Sequence, residues 1–198
     1  MKKTKLLILT TTTLLLSSTS VAEGEVDSRF DRLVSAVNKL PDFDKKFTND
    51  VVQAAIDSET ENFPAELILS IAWQETRFNY TKQTNRQKVC GIMQTSPKSI
   101  GLKMSICKDW NLDPKLGFMA GITALETMMK DSRVYGKSKN NTASIKAACG
   151  VNPSARCKSI LYYACGNSAF DGTCTKTQYP KVILKRMKFL FNSVNRES

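Results

Sequence analysis

Glu75 is the acid that its neighbours set apart. It follows Ile68, Ile71 and Ala72 at the three-and-four spacing that puts all four on one face of a helix. A carboxyl on an apolar stripe loses hydration, which favours the neutral form and raises its pKa towards the range of a proton donor. A slightly rotated helix would instead leave it at the solvated edge of that stripe, where most helix acids lie. Beyond a polar stretch stands Cys90-Gly91-Ile92-Met93-Gln94. It offers a glycine that permits close backbone approach, a flexible apolar side chain, and an amide that both donates and accepts.

No histidine occurs in the 198 residues. That excludes Ser-His-Asp and Cys-His catalysis and any metal site that needs imidazole. Proton transfer then falls to carboxylates, lysine, tyrosine or water, and neither a metal nor a cofactor is expected. The cysteines contain no Cys-x-x-Cys, so thioredoxin-like chemistry and zinc ribbons have little support.

The helix that carries Glu75 is predicted from Pro64, which suits a first helical position, through a breaker-free run over residues 65–78. Residues 80–89 are polar and read as a loop. Ser96-Pro97 opens a short helix ending at Gly101. Asp113-Pro114 is a stronger start, followed by Phe118, Ile122, Leu125 and Met129 at helical spacing. Glu126 on that helix is a second acid, read as a solvated charge because nothing marks it as buried. A short helix closed by Gly150 follows, then one opened by Asn152-Pro153 that runs through Tyr162, Tyr163 and Ala164. The last helix spans 179–194. Upstream, residues 23–62 read as two amphipathic helices, one capped by Ser28 and reaching Leu40, the other from about Phe43 to Ser58. They either pack against the following domain or dock a partner.

Lys2, Lys3 and Lys5, the apolar segment at 6–16, and Ser20-Val21-Ala22 predict a secretory signal peptide cut after Ala22. The apolar segment is too short to span a bilayer comfortably, so no transmembrane anchor is expected after cleavage. Cleavage takes the formal charge from +11 to +8. In an oxidising compartment, six cysteines predict three disulfides among Cys90, Cys107, Cys149, Cys157, Cys165 and Cys174. Cys90 with Cys107 is the expected local pair, and the other four stay unassigned. At 41% hydrophobic the chain can bury a sizeable core. The basic residues of the last helix lack aromatic interleaving or a binding module, so nucleic acid is not an expected partner.

Trp73-Gln74-Glu75-Thr76 together with Gly91-Ile92-Met93-Gln94 resembles the soluble-type lytic transglycosylases of the lysozyme-like superfamily. Their pattern sets Glu-Ser at the end of a helix and Gly-Leu-Met-Gln a short loop later; here Thr76 replaces Ser and Ile92 replaces Leu. Asp113-Pro114 with Gly121 is similar to the Asp-Pro, glycine and long helix that hold the same place. A third signature, Ala-Tyr-Asn with a glycine close by, is matched by Tyr163-Ala164-Cys165-Gly166, with Ala164 where Asn is usual and Tyr162 as the alternative register. A tyrosine followed by a helix also closes the family domain. The resemblance covers about residues 62–194. It implies an all-α, lysozyme-like helical domain with disulfides at 62–198, which follows the predicted signal peptide at 1–22 and the short helical N-terminal region at 23–61.

The activity implied is cleavage of the β-1,4 bond between N-acetylmuramic acid (MurNAc) and N-acetylglucosamine (GlcNAc) in peptidoglycan. Ordinary glycoside hydrolysis uses two carboxylates, whereas the family uses one, matched here by Glu75, which protonates the leaving oxygen and then takes the C6 hydroxyl proton as a 1,6-anhydro ring closes. The resemblance assigns Gln94 and the backbone of Gly91, Ile92 and Met93 to the glycan cleft and Tyr163 to its opposite wall. Thr76 keeps the hydroxyl of the usual serine. A hydrolytic muramidase and a non-catalytic peptidoglycan-binding protein are the alternatives. Small exported members of the family often open the wall for a secretion or conjugation machine, which makes such a machine a candidate partner. The expected location is the bacterial periplasm or the extracellular space.

Overall fold

The computed structural model describes residues 23–42, 45–81, 88–131, 134 and 142–195. The expected signal peptide and most of the loop before Cys90 lie outside the described residues. Among those residues the architecture is all-α, with no strand and a single bridge between Cys90 and Thr95.

Helix α1 spans Glu23–Val37 and α2 spans Thr48–Ser58, and both lead to α3, Ala65–Thr76, the centre of the molecule. Every residue of α3 from Ala65 to Trp73 is buried. A helix buried all round must be wrapped on every side. Pro64 turns out to be the N-cap rather than the first helical residue, and the cap acceptor comes from outside the helix, since the Ala65 N–H donates to Glu59 Oε2 at 3.1 Å. The same Glu59 receives a two-pronged contact from Arg29 at 2.6 and 2.9 Å, and Arg29 reaches the buried Glu66 at 3.3 Å. One guanidinium thus ties α1 to the entrance of α3, and bidentate pairs of this kind hold orientation as well as charge.

After Cys107–Trp110 (α4) comes α5, Pro114–Lys130, which begins as its sequence predicts, with Asp113 accepting from the Lys115 N–H at 2.8 Å. The remaining α-helices whose full span lies among the described residues are α6 (Ala143–Cys149), α7 (Ala155–Cys165), α8 (Ser168–Asp171) and α9 (Tyr179–Asn195). Three further expected starts are displaced. Helix α2, read from about Phe43, which lies outside the described residues, begins at Thr48 after a 3-10 turn over Lys45–Phe47. Helix α1 already runs through Ser28, which is therefore not its cap. Ser154, not Asn152-Pro153, caps α7, because its hydroxyl reaches the Cys157 N–H at 3.1 Å.

Helix α9 packs on α3, α1 packs on α9 and α2, and α5 packs on α2 and α7. Leu33 and Val37 of α1 and Val51, Val52 and Ala55 of α2 belong to the same apolar cluster as Ile68, Ile71, Phe118, Leu125 and Leu190. A smaller cluster of Ile145, Ala148, Leu161, Ala169 and Cys174 sits under α6–α8. The disulfides are Cys90–Cys107, the expected pair, then Cys149–Cys157 and Cys165–Cys174.

Candidate active site

Glu75 occupies the last turn of α3, just before Arg77 ends the helix in the left-handed region at φ 54°. Its half-buried carboxyl accepts a short hydrogen bond from the Tyr179 hydroxyl at the start of α9. Burial pushes the Glu75 carboxyl above the usual carboxylate range, against the opposing pull of the Tyr179 hydrogen bond and of the nearby Lys176 ammonium. Burial first, and then the Glu75 charge, lift the Tyr179 hydroxyl well above an ordinary phenol, so it stays a donor. Glu75 opens on a cavity of about 330 Å³ that Gln74, Lys176, Gln178, Tyr179 and Val182 also line, within the range of small-ligand clefts.

The Gly91–Gln94 turn is pinned from several sides. Cys90 and Thr95 exchange backbone hydrogen bonds at 3.0 and 2.9 Å across it, and the Gln94 N–H returns to Gly91 O at 3.0 Å. Gly91 has φ +73°, and a Cβ there would meet Trp110 Cβ at 3.2 Å, so both conformation and space call for glycine. Its N–H donates to Asn111 Oδ1 at 2.9 Å. The Thr76 hydroxyl donates to Ile92 O at 2.9 Å and to Ala72 O at 3.0 Å, which welds the turn to the end of α3. The Tyr163 hydroxyl donates to Met93 O at 2.7 Å and lies 2.8 Å from the Thr95 hydroxyl. Burial, with a smaller push from the Glu75 charge, raises the Tyr163 pKa far above the ordinary value.

Tyr163 is thus the tyrosine that reaches the turn. Tyr162 points elsewhere, donating to Asn167 at 3.3 Å and packing edge-on against Phe170. The Ile92 and Met93 side chains are fully buried, so only their backbone is available to the site. The half-exposed Gln94, at φ 53°, folds its amide back to Gly91 O at 3.0 Å. Glu126 is half-buried in α5 and lines a separate cavity of about 290 Å³ with Asn62, Met129 and Lys130. Among the described residues no cluster of three potential metal ligands forms.

The sequence reading left Tyr179, Lys176, Gln178 and Val182 outside the site. The available signal was the tyrosine that opens the closing helix. It also missed the clamp behind Glu75, where Arg77 and Arg186 stand 3.5 and 3.7 Å from the Trp73 ring centroid. At those distances two guanidiniums must take opposite faces of one ring. The indole N–H donates to Pro41 O at 3.1 Å, and Arg186 to Ser70 O at 3.1 Å. Burial, then the Arg77 charge, push the Arg186 pKa down to about 10. The clamp fixes α9, and therefore Tyr179, against the end of α3.

A family model described as the transglycosylase SLT domain matches residues 52–170. The chain belongs to the transglycosylase SLT family. Membership carries, in general terms, a lytic-transglycosylase action on peptidoglycan, a substrate that lies outside the cytoplasm. The SLT match begins inside α2 and ends before Lys176 and Tyr179, so the tyrosine on Glu75 comes from beyond the matched segment. Neither a curated protein nor a solved structure matches the chain. Among the described residues no helix is long and apolar enough to cross a membrane.

Proposed function

We propose that this SLT-family protein is an exported lytic transglycosylase that cleaves the β-1,4 MurNAc–GlcNAc bond and leaves 1,6-anhydro-MurNAc ends. The observation that carries the reading is a lone carboxyl with a raised pKa, held by Tyr179 at an open groove whose described lining contains no second carboxylate. Hydrolysis by either common route needs two.

In the proposed reaction the Glu75 proton passes to the glycosidic oxygen as the C1–O4 bond breaks, and the MurNAc N-acetyl oxygen attacks C1. The ionised Glu75 then takes the C6 hydroxyl proton while O6 attacks C1 and releases the N-acetyl group. Glu75 ends protonated, as it began, and no water is consumed. The Tyr179 hydrogen bond favours the ionised carboxylate between the two steps. Thr76 and Tyr163 act as positioning residues that hold the Gly91–Gln94 turn, and the glycan runs past Gln94 and the turn backbone. The domain boundaries read from the sequence, with a leader at 1–22 and the catalytic domain from 62, belong to this proposal, as does a role in local wall opening for a secretion or conjugation machine.

Mass spectrometry of digested sacculi tests it. Wild type should yield anhydro ends, and Glu75→Gln should lose at least about 10²-fold in rate, the usual worth of a positioned proton donor. Reducing ends would mean hydrolysis, and a folded, fully active Glu75→Gln protein would remove Glu75 from the chemistry.

A further inference from the structure

Lys176 lines the same cavity as Glu75 and is exposed. Its backbone is fixed on both sides. Two residues earlier, Cys174 is bonded to Cys165 and donates its N–H to Ser168 O at 3.0 Å; the Lys176 carbonyl accepts from the Tyr179 N–H at 3.0 Å at the start of α9. Among the described residues no carboxylate forms an ion pair with its ammonium. A cation here works against a proton donor, since it favours the ionised Glu75. That cost needs a return, and the chemistry of the substrate supplies one.

With its stems attached, and so with the lactyl carboxyl of each MurNAc held as an amide, the glycan backbone of peptidoglycan is uncharged. Its anions are the carboxylates of the stem peptides attached through the lactyl arm on C3 of MurNAc. We propose that Lys176 is a binding residue for a stem-peptide carboxylate on the strand held at Glu75, making the groove selective for strands whose stem carboxylates are free over those in which they are neutralised. The inference rests on the transglycosylase reading above. Once the carboxylate is seated, the ammonium charge is offset, and Glu75 is released from the cation that opposes its protonation. The other groups that face Glu75 are Tyr179 from α9 and Tyr163 from α7. The Arg77 and Arg186 guanidiniums are committed to Trp73. A strand with free stem carboxylates therefore both binds at Lys176 and helps to keep the acid protonated.

The test compares native sacculi with sacculi whose carboxylates have been converted to neutral methylamides, using wild type, Lys176→Gln and Lys176→Arg. Wild type should prefer the native material, and Lys176→Gln should shrink that preference by about two- to fivefold at low salt, the range of a solvent-exposed ion pair. Lys176→Arg should restore it, and added salt should erode the wild-type preference. A Lys176→Gln preference equal to wild type, or an equal loss on both materials, would overturn the assignment. An inactive wild type would instead bring down the enzymatic reading beneath it, whereas active wild type, dead Glu75→Gln and unaltered Lys176→Gln would remove Lys176 alone.

Discussion

A carboxyl that binds its proton more tightly in the folded chain than in the unfolded one makes folding pH-dependent, and Glu75 is such a group. The sign follows from its raised pKa. Below the ordinary value of 4.5 both states are protonated and Glu75 carries no penalty. As pH rises from there through the folded pKa, the folded state holds the extra proton and stability falls. Glu75→Gln has no such term, so its melting temperature should exceed that of wild type at pH 7, with the gap closing by about pH 4; a constant gap would mean that burial does not control this carboxyl. The inward turn of Glu75 was legible because helical spacing assigns a residue to a face. What meets it was not, since Tyr179 arrives from 104 residues further along. Tyr162 and Tyr163 are sequence neighbours that a helix sends about 100° apart, and only packing selects Tyr163.

Between elements, α5 fits closely against the turn. A Cβ on Gly121 would lie 2.3 Å from Met93 Sδ and 3.0 Å from Met93 Cβ, so α5 can approach the turn only with glycine there. Gly121→Ala should cost about 1–3 kcal/mol by overpacking, softened where the methionine tip can move. Because Met93 O carries the Tyr163 hydrogen bond, the same change should lower sacculus cleavage; urea unfolding with a parallel activity assay reads both. An unchanged midpoint would show that the contact is relieved elsewhere. Helix starts were legible where the capping group is local, as at Asp113-Pro114. The start of α3 was not fully legible, because its acceptor, Glu59, stands six residues before the N–H it receives. The sequence likewise offered no sign that the Ile92 and Met93 side chains would be core rather than cleft, since an apolar residue beside a glycine serves either purpose.

Across the molecule the cysteines are unevenly spread, all of them lying at or after residue 90. Cys149–Cys157 and Cys165–Cys174 brace the small cluster under α6–α8, while no disulfide reaches α1, α2 or α3, which pack on the large apolar core. Each bridge is worth typically 2–4 kcal/mol. Reduction should therefore loosen the layer that presents Tyr163 and Lys176 before the main bundle melts. A thiol titration should abolish cleavage while most far-ultraviolet helicity remains; simultaneous loss would mean that the two clusters unfold as one. The even cysteine count foretold three bridges. The near-equal intervals between Cys149, Cys157, Cys165 and Cys174 could not say which neighbours pair. The same layout divides the optical properties of the chain. Of its two tryptophans, Trp110 packs with Cys90 and Cys107, and a disulfide beside an indole is a quencher of its emission, whereas Trp73 is sandwiched by Arg77 and Arg186. Intrinsic fluorescence of the oxidised protein should then come mainly from one indole at the junction of α3 and α9, a native gauge of whether the closing helix is seated, with no dye attached.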